Sequence, residues 1–225
     1  MLRIYLLLAI VITLLTISCI SVREEKVFDK EINNSSDCLV SKELKTYFPP
    51  KVFSDNPERN QFKTNWYTSY LSAMKEPSLY EMKKQVNVEM YRFLLLPSFS
   101  LPVMVRIQKC NNNYLIIAKE LTGNRMKDPG IVKKQKRKNL SEQEWKHVVN
   151  SLDRLHFWEL QTTVEEGVVA DGIKWIVEGA RDDKYHIVDR ILPSVEFQKA
   201  CLYLVKISEL MNDEELLAFE KNINQ

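Results

Sequence analysis

The chain has 225 residues, enough for one well-buried core and short for two. Its 45% hydrophobic and 28% charged residues match a globular protein and exclude a chain that is disordered throughout. With 32 basic against 30 acidic side chains, the net charge of +2 exerts no general pull toward nucleic acid or anionic lipid, so any electrostatic role is local.

Met1 to Cys19 reads as an export signal: Arg3 supplies the positive start, Ile4 to Leu15 an apolar run, and Ser18 a small residue ahead of a cut. The apolar run gives way to Ser-Val-Arg-Glu-Glu-Lys just after Cys19, short of the ~20 apolar residues of a spanning helix, so cleavage is expected. Thr16-Ile17-Ser18-Cys19 resembles the lipobox of bacterial lipoproteins, whose cysteine is acylated and becomes the new N-terminus. That resemblance implies an exported protein held to a membrane by lipid, palmitate included, on Cys19. Ile20, where retained lipoproteins carry Asp, implies the outer membrane in a cell that has two. Thr16 departs from the usual Leu, Val or Ile, which keeps a plain secreted protein and an uncleaved anchor as alternatives.

Export sends the mature chain to a compartment where disulfides form. With Cys19 committed to lipid, Cys38, Cys110 and Cys201 remain; Cys201 falls on the apolar face of a predicted helix, so Cys38 with Cys110 is the expected pair. Neither these cysteines nor His147, His156 and His186 have the spacing of a zinc site, and neither metal nor cofactor is expected.

Residues 20–54 are polar around Asn33-Asn34-Ser35-Ser36 and read as a tether, leaving residues 55–225 for a single domain. Asp55-Asn56-Pro57-Glu58 supplies a cap, a first-turn proline and an acid at a helix start; Phe62, Trp66, Tyr70 and Met74 follow at steps of four, and Glu76-Pro77-Ser78 ends the helix. From Glu89 to Leu121 the period becomes two, predicting a three-stranded meander that bends at Pro97 to Pro102 and turns at Cys110-Asn111-Asn112-Asn113. Ser141-Glu142-Gln143-Glu144 is a capping box ahead of the stripe Trp145, Val148, Val149, Leu152 and Leu155. A hairpin, Ile173 to Ala180 and Lys184 to Ile191, turns at Asp182-Asp183. A helix then opens at Pro193-Ser194 with Phe197, Ala200, Cys201, Leu204, Ile207 and Met211 on one face, and a short one follows Asp213. Strands grouped into hairpins predict an α+β fold: an antiparallel sheet built from the meander and the separate hairpin, with helices packed on one face.

The densest polar constellation is Asp171-Gly172 with Trp175, Glu178, His186, Asp189 and Arg190. A two-residue turn sets Glu178 opposite Ile187, Ile176 opposite Asp189 and Trp175 opposite Arg190. Lys174, Glu178 and Asp189 then share one face, while His186 and Arg190 share the other. Two neighbouring carboxylates could divide acid and base roles, with His186 or Asp171 assisting. The competing reading pairs Lys174 with a carboxylate and stacks Arg190 on Trp175 as plain sheet surface. Arg92 and Arg106 fall side by side on adjacent strands and could grip an anionic ligand or pair internally with Glu120.

Lys133, Lys134, Lys136, Arg137 and Lys138, with Arg125 and Lys127 before them, form the basic cluster. It could meet an anionic surface or envelope protein, or serve as a solvated loop or protected edge strand. Export and the lack of interleaved aromatics argue against nucleic acid. Phosphate-cradling loops, Gly-x-Ser-x-Gly and His-Glu-x-x-His are all absent from the sequence.

The segments Tyr91-Arg92-Phe93-Leu94, Val105-Arg106-Ile107, Lys119-Glu120-Leu121, Phe157-Trp158, Asp171 to Gly179 and Tyr185-His186-Ile187-Val188-Asp189-Arg190 together resemble an uncharacterised family of bacterial hypothetical lipoproteins. The likeness spans roughly residues 60 to 210 and departs at Asp182-Asp183, where the family has Asp-Gly, and at Ile191-Leu192-Pro193, where it has Trp-Ser-Pro. It implies a shared domain and carries no activity. The expectation is a non-enzymatic envelope lipoprotein with a binding or structural role. The alternatives are a hydrolase or lyase using Glu178 and Asp189, or an inhibitor of a secreted enzyme.

Overall fold

A computed structural model describes residues 46–85, 87–98, 100–123, 128–165 and 172–223. Six strands form a single antiparallel sheet in the order β4-β3-β2-β1-β5-β6: β1 Val88–Leu96, β2 Val103–Cys110, β3 Asn113–Leu121, β4 Val132–Asn139, β5 Lys174–Arg181 and β6 Lys184–Arg190. The fold is α+β, with the meander and the hairpin joined side by side through β1 and β5. The meander has four strands, because the basic segment continues it as β4, an edge strand.

The register expected for the hairpin holds. Glu178 pairs with Ile187, Ile176 with Asp189 and Trp175 with Arg190. Asp182 and Asp183 both take positive φ, 49° and 63°, which a two-residue turn between right-twisted strands demands even without glycine. Asn111 does the same, at 53°, between β2 and β3.

Helices cover both faces of the sheet, not one. On the first face lie α3 (Glu142–Arg154), α4 (Val195–Ser208) and α5 (Asp213–Ile223); Trp145, Val148, Leu152, Phe197, Cys201, Leu204 and Phe219 pack on Tyr91, Phe93, Val105, Trp175, Val177 and Val188. The Ser141 capping box starts α3 as the sequence requires. On the second face, α1 (Pro57–Ala73), followed in the chain by the single-turn α2 (Leu79–Met82), lays Tyr67, Tyr70, Leu71 and the adjoining Met74 on Leu94, Leu96, Met104, Ile176 and Ile187. Those four residues follow the i, i+3, i+4, i+7 rule of a buried stripe, whereas steps of four drift around the helix. Phe62, expected on the buried face, is accordingly 60% exposed, with its ring 5.7 Å from that of Trp66 between centroids.

Residues 46–54, read as the end of the tether, also belong to this second face: Tyr47, Phe48 and Phe53 are buried there, Phe48 and Phe53 in edge contacts with Tyr67. With both faces covered, the central strands β1, β2 and β5 are almost wholly buried, and whatever charge they carry is buried with them. Among the described residues no helix is long and apolar enough to cross a membrane.

Candidate functional site

Four ionisable side chains of the sheet rows facing α1 meet a fifth, Glu76, in the interior. Arg92 on β1 lies between its register partners Arg106 on β2 and Glu178 on β5. Lys119 on β3 sits one row on, opposite Met104, and Glu76 enters from the chain leaving α1. All five are buried.

Local backbone chemistry aims Glu76. Helix α1 ends in a Schellman motif: Lys75 takes a left-handed φ of 52°, its amide donates to the Ser72 carbonyl at 2.9 Å, and the Glu76 amide donates to the Leu71 carbonyl at 2.9 Å. Pro77 follows and forbids continuation. The Glu76 side chain is thereby turned onto the sheet. Its Oε2 accepts from Arg106 Nε at 2.7 Å and lies 3.9 Å from Arg92 Nη1, while its Oε1 accepts from Lys119 Nζ at 2.7 Å. Burial alone would raise the Glu76 carboxyl. Arg106, then Lys119 and Arg92, outweigh it and hold the group at about 2.

Glu178 is clamped by Arg92, whose Nε donates to Oε2 at 2.7 Å with Nη2 2.6 Å from the same oxygen; the Tyr185 hydroxyl donates to Oε1 at 2.9 Å. Burial pushes this carboxyl above its ordinary range against the pull of Arg92. Three cations face two carboxylates, and main-chain carbonyls meet the excess. Lys119 Nζ donates to the Met74 carbonyl at 2.5 Å, and Arg92 Nη1 to the Pro77 carbonyl at 2.6 Å. A lysine at the C-terminal carbonyls of α1 also complements the helix dipole.

Asp189 forms a second cluster on the same face. Its Oδ2 accepts from Lys63 Nζ at 2.7 Å and the Tyr67 hydroxyl at 3.0 Å, and its Oδ1 from Lys174 Nζ at 3.1 Å. Both carboxylates of the possible acid–base pair are thus engaged by cations and hydroxyls, as the competing surface reading had it for Lys174.

The sheet itself separates the rest of the constellation. His186 pairs with Gly179 and lies on the opposite face, where its ring meets Phe157 at 5.1 Å and Trp158 at 6.3 Å; burial lowers its pKa. It cannot assist Glu178 or Asp189 through the sheet. Arg190 is on His186's side and donates to the Thr162 and Gln161 carbonyls at 3.0 and 2.6 Å, while Trp175 stacks on Phe93 at 5.7 Å. Asp171, Cys19 and Cys38 lie outside the described residues. Glu120 is not the partner of Arg92 or Arg106: it pairs in register with Val103 on the other face and meets Lys133 at 3.3 Å. Cys110 is disulfide-bonded, and Cys201 is a buried free thiol.

The chain matches no family model and none of the curated proteins.

Two further features complete the candidates. An open cleft of about 500 Å³ at the turn end of the sheet is lined by Asn87, Glu89, Lys109, Asn111, Arg181 and Asp182, but Arg181 lies 3.5 Å from Glu89 and Lys109 over the Tyr114 ring. In the basic segment, Lys134 and Lys138 bind Glu215 and Glu209, so part of its charge is met within the chain. Among the described residues no group of three or more His, Cys, Asp or Glu is placed to hold a metal ion.

The sequence reading missed Glu76, Lys119, Lys63 and Tyr67. Lys119 carried a signal, being a charge inside an apolar strand whose neighbours Ala118 and Leu121 are buried. Glu76 carried none, because its role depends on how α1 ends.

Proposed function

We propose that this is an exported, lipid-anchored protein of the cell envelope whose α+β domain is a non-enzymatic binding module. The observation that carries the reading is the state of Glu178 and Asp189. Each is buried with its oxygens occupied by cations and hydroxyls, and His186 is across the sheet from both. A general acid or base has to exchange a proton with substrate at hydrogen-bond distance, and these carboxylates have no open side from which to do so. The network instead supports a rigid second face beneath α1.

The anchor is Cys19, in the lipobox-like Thr16 to Cys19, with the outer membrane as the destination in a two-membrane cell. The contact surface is the basic strand β4, the richest run of positive charge in the chain. Metabolic labelling with palmitate tests the address: the chain incorporates label and fractionates with membranes, and Cys19→Ser abolishes both. An unlabelled full-length chain in the cytosolic fraction overturns the reading. The rival hydrolase or lyase reading requires Glu178→Gln and Asp189→Asn to remove an activity while leaving the melting temperature unchanged.

A further inference from the structure

We propose that the cleft at the turn end of the sheet binds a neutral saccharide through its hydroxyl groups. This rests on the reading of the domain as a binding module and adds a ligand site apart from β4.

Three stretches of chain meet at that end: the entry to β1 at Asn87, the β2–β3 turn at Asn111 and Asn112, and the β5–β6 turn at Asp182. Their backbone is fixed. Asn87, Asn111 and Asp182 hold left-handed φ values of 61°, 53° and 49°, the Asn111 amide donates to the Asn87 carbonyl at 3.3 Å, and the Asp183 amide donates to the Lys83 carbonyl at 3.2 Å. The walls of the cleft are thus set before a ligand arrives, which lowers the entropic cost of binding. Its volume of about 500 Å³ falls within the range of about 300 to 1,000 Å³ found for small-molecule sites.

The side chains favour a ligand without charge. Glu89 of β1 is the register partner of Lys109 on β2 and lies 3.5 Å from Arg181 at the end of β5. The Tyr91 hydroxyl donates to the same carboxylate at 2.7 Å, while Arg181 lies over the Trp158 ring and Lys109 over the Tyr114 ring. With Asp182 included, two carboxylates answer two cations around the cleft. An anion or a cation entering it would meet like charge and disturb contacts already made. Beside these charges stand the carboxamides of Asn87 and Asn112, and among the described residues no hydrogen bond engages them or the Asp182 carboxylate. A carboxamide offers two donors and an acceptor, a carboxylate only acceptors, and a sugar hydroxyl is both donor and acceptor. Neighbouring hydroxyls of one sugar ring can therefore bond to these groups together and leave the charge of the site balanced.

The test uses the full lipidated chain in phosphatidylcholine nanodiscs, with maltose and N,N′-diacetylchitobiose as neutral probes and succinate and putrescine as charged ones. Saturation-transfer difference NMR titrations are expected to show saturable binding of at least one disaccharide, and weaker or no binding of the charged probes. Asn87→Gly with Asn112→Ala removes both carboxamides, and glycine keeps the left-handed backbone at residue 87. This variant is expected to bind about tenfold more weakly, as the loss of two ordinary hydrogen bonds implies, with an unchanged melting temperature. If it melts lower, Asn112→Ala alone carries the comparison, with a loss of about threefold. Raising NaCl from about 0.05 to about 0.5 M is expected to leave the affinity unchanged, because screening acts on charges. Failure of both disaccharides to bind overturns the proposal, as does undiminished binding by the variants, a several-fold loss at high salt, or equal binding of succinate or putrescine. The module reading fails separately, through an activity lost in Glu178→Gln or the absence of palmitate on Cys19.

Discussion

Arg92 and Arg106 are register partners on β1 and β2, two like charges side by side beneath a covered face, and the Glu76 carboxylate approaches both. Without that carboxylate the pair and the neighbouring Lys119 would be left as three buried cations against Glu178 alone. Breaking a buried ion pair by removing one partner typically costs about 3 to 5 kcal/mol, because the remaining charge is uncompensated. Glu76→Gln is therefore expected to lower the urea unfolding free energy by about that amount. Glu142→Gln, which removes the exposed pair with Lys146, is expected to leave it nearly unchanged. Equal effects of the two substitutions would contradict the placement of Glu76.

The same residue sets an acid limb of stability. Its carboxyl is held at about 2, below the ordinary 4.5, by Arg106, Lys119 and Arg92 acting against burial. Between these values the unfolded chain binds the proton and the folded chain does not, so stability rises with pH through the window. The contribution is complete above 4.5 and is lost as pH falls toward 2. Glu178, raised by burial, has the opposite sign and loses stability as pH rises through its folded value. Urea midpoints measured across this range are expected to fall with acidity in the parent chain and to flatten in Glu76→Gln.

Gly179 is where the aromatic cluster presses on β5. A methyl group there would stand 2.7 Å from Phe157 Cε1 and close to Tyr91 and Trp158. Gly179→Ala is expected to destabilise by about 1 to 3 kcal/mol through overpacking, with a change in near-ultraviolet circular dichroism from the displaced rings. An unchanged melting temperature would mean that the rings are not seated on the strand.

Much of this architecture was legible in the sequence. The strand period of two, the Asp182-Asp183 turn and the Ser141 capping box each act within a few residues, and hairpin pairing follows arithmetically from the turn. Placing Arg92 beside Arg106 needed only the meander register. What could not be read was the second layer. Residues 20–54 look polar as a whole around Asn33 to Ser36, yet Tyr47, Phe48 and Phe53 near the end of that stretch are buried with α1. That covering turns charges expected at a surface into interior groups. Glu76 and Asp189 then find partners far along the chain, Lys119 and Lys63, and no local pattern encodes such pairings.

The disulfide of Cys110 is expected to join it to Cys38. Unfolded without reductant, the mature lipidated chain then exposes one titratable thiol, that of Cys201, and Cys38→Ser exposes a second, that of Cys110. A single thiol in both proteins would rule out this pairing.

The structural role of the charge network is tested most directly by a double-mutant cycle on Arg92 and Glu178 in urea unfolding. Arg92→Leu and Glu178→Leu are each expected to destabilise by about 3 to 5 kcal/mol, and the double variant by clearly less than their sum, because the second substitution removes the charge that the first stranded. Additive, near-zero effects would mean that neither side chain is buried in partnership, and would reopen Glu178 as a group free to do chemistry.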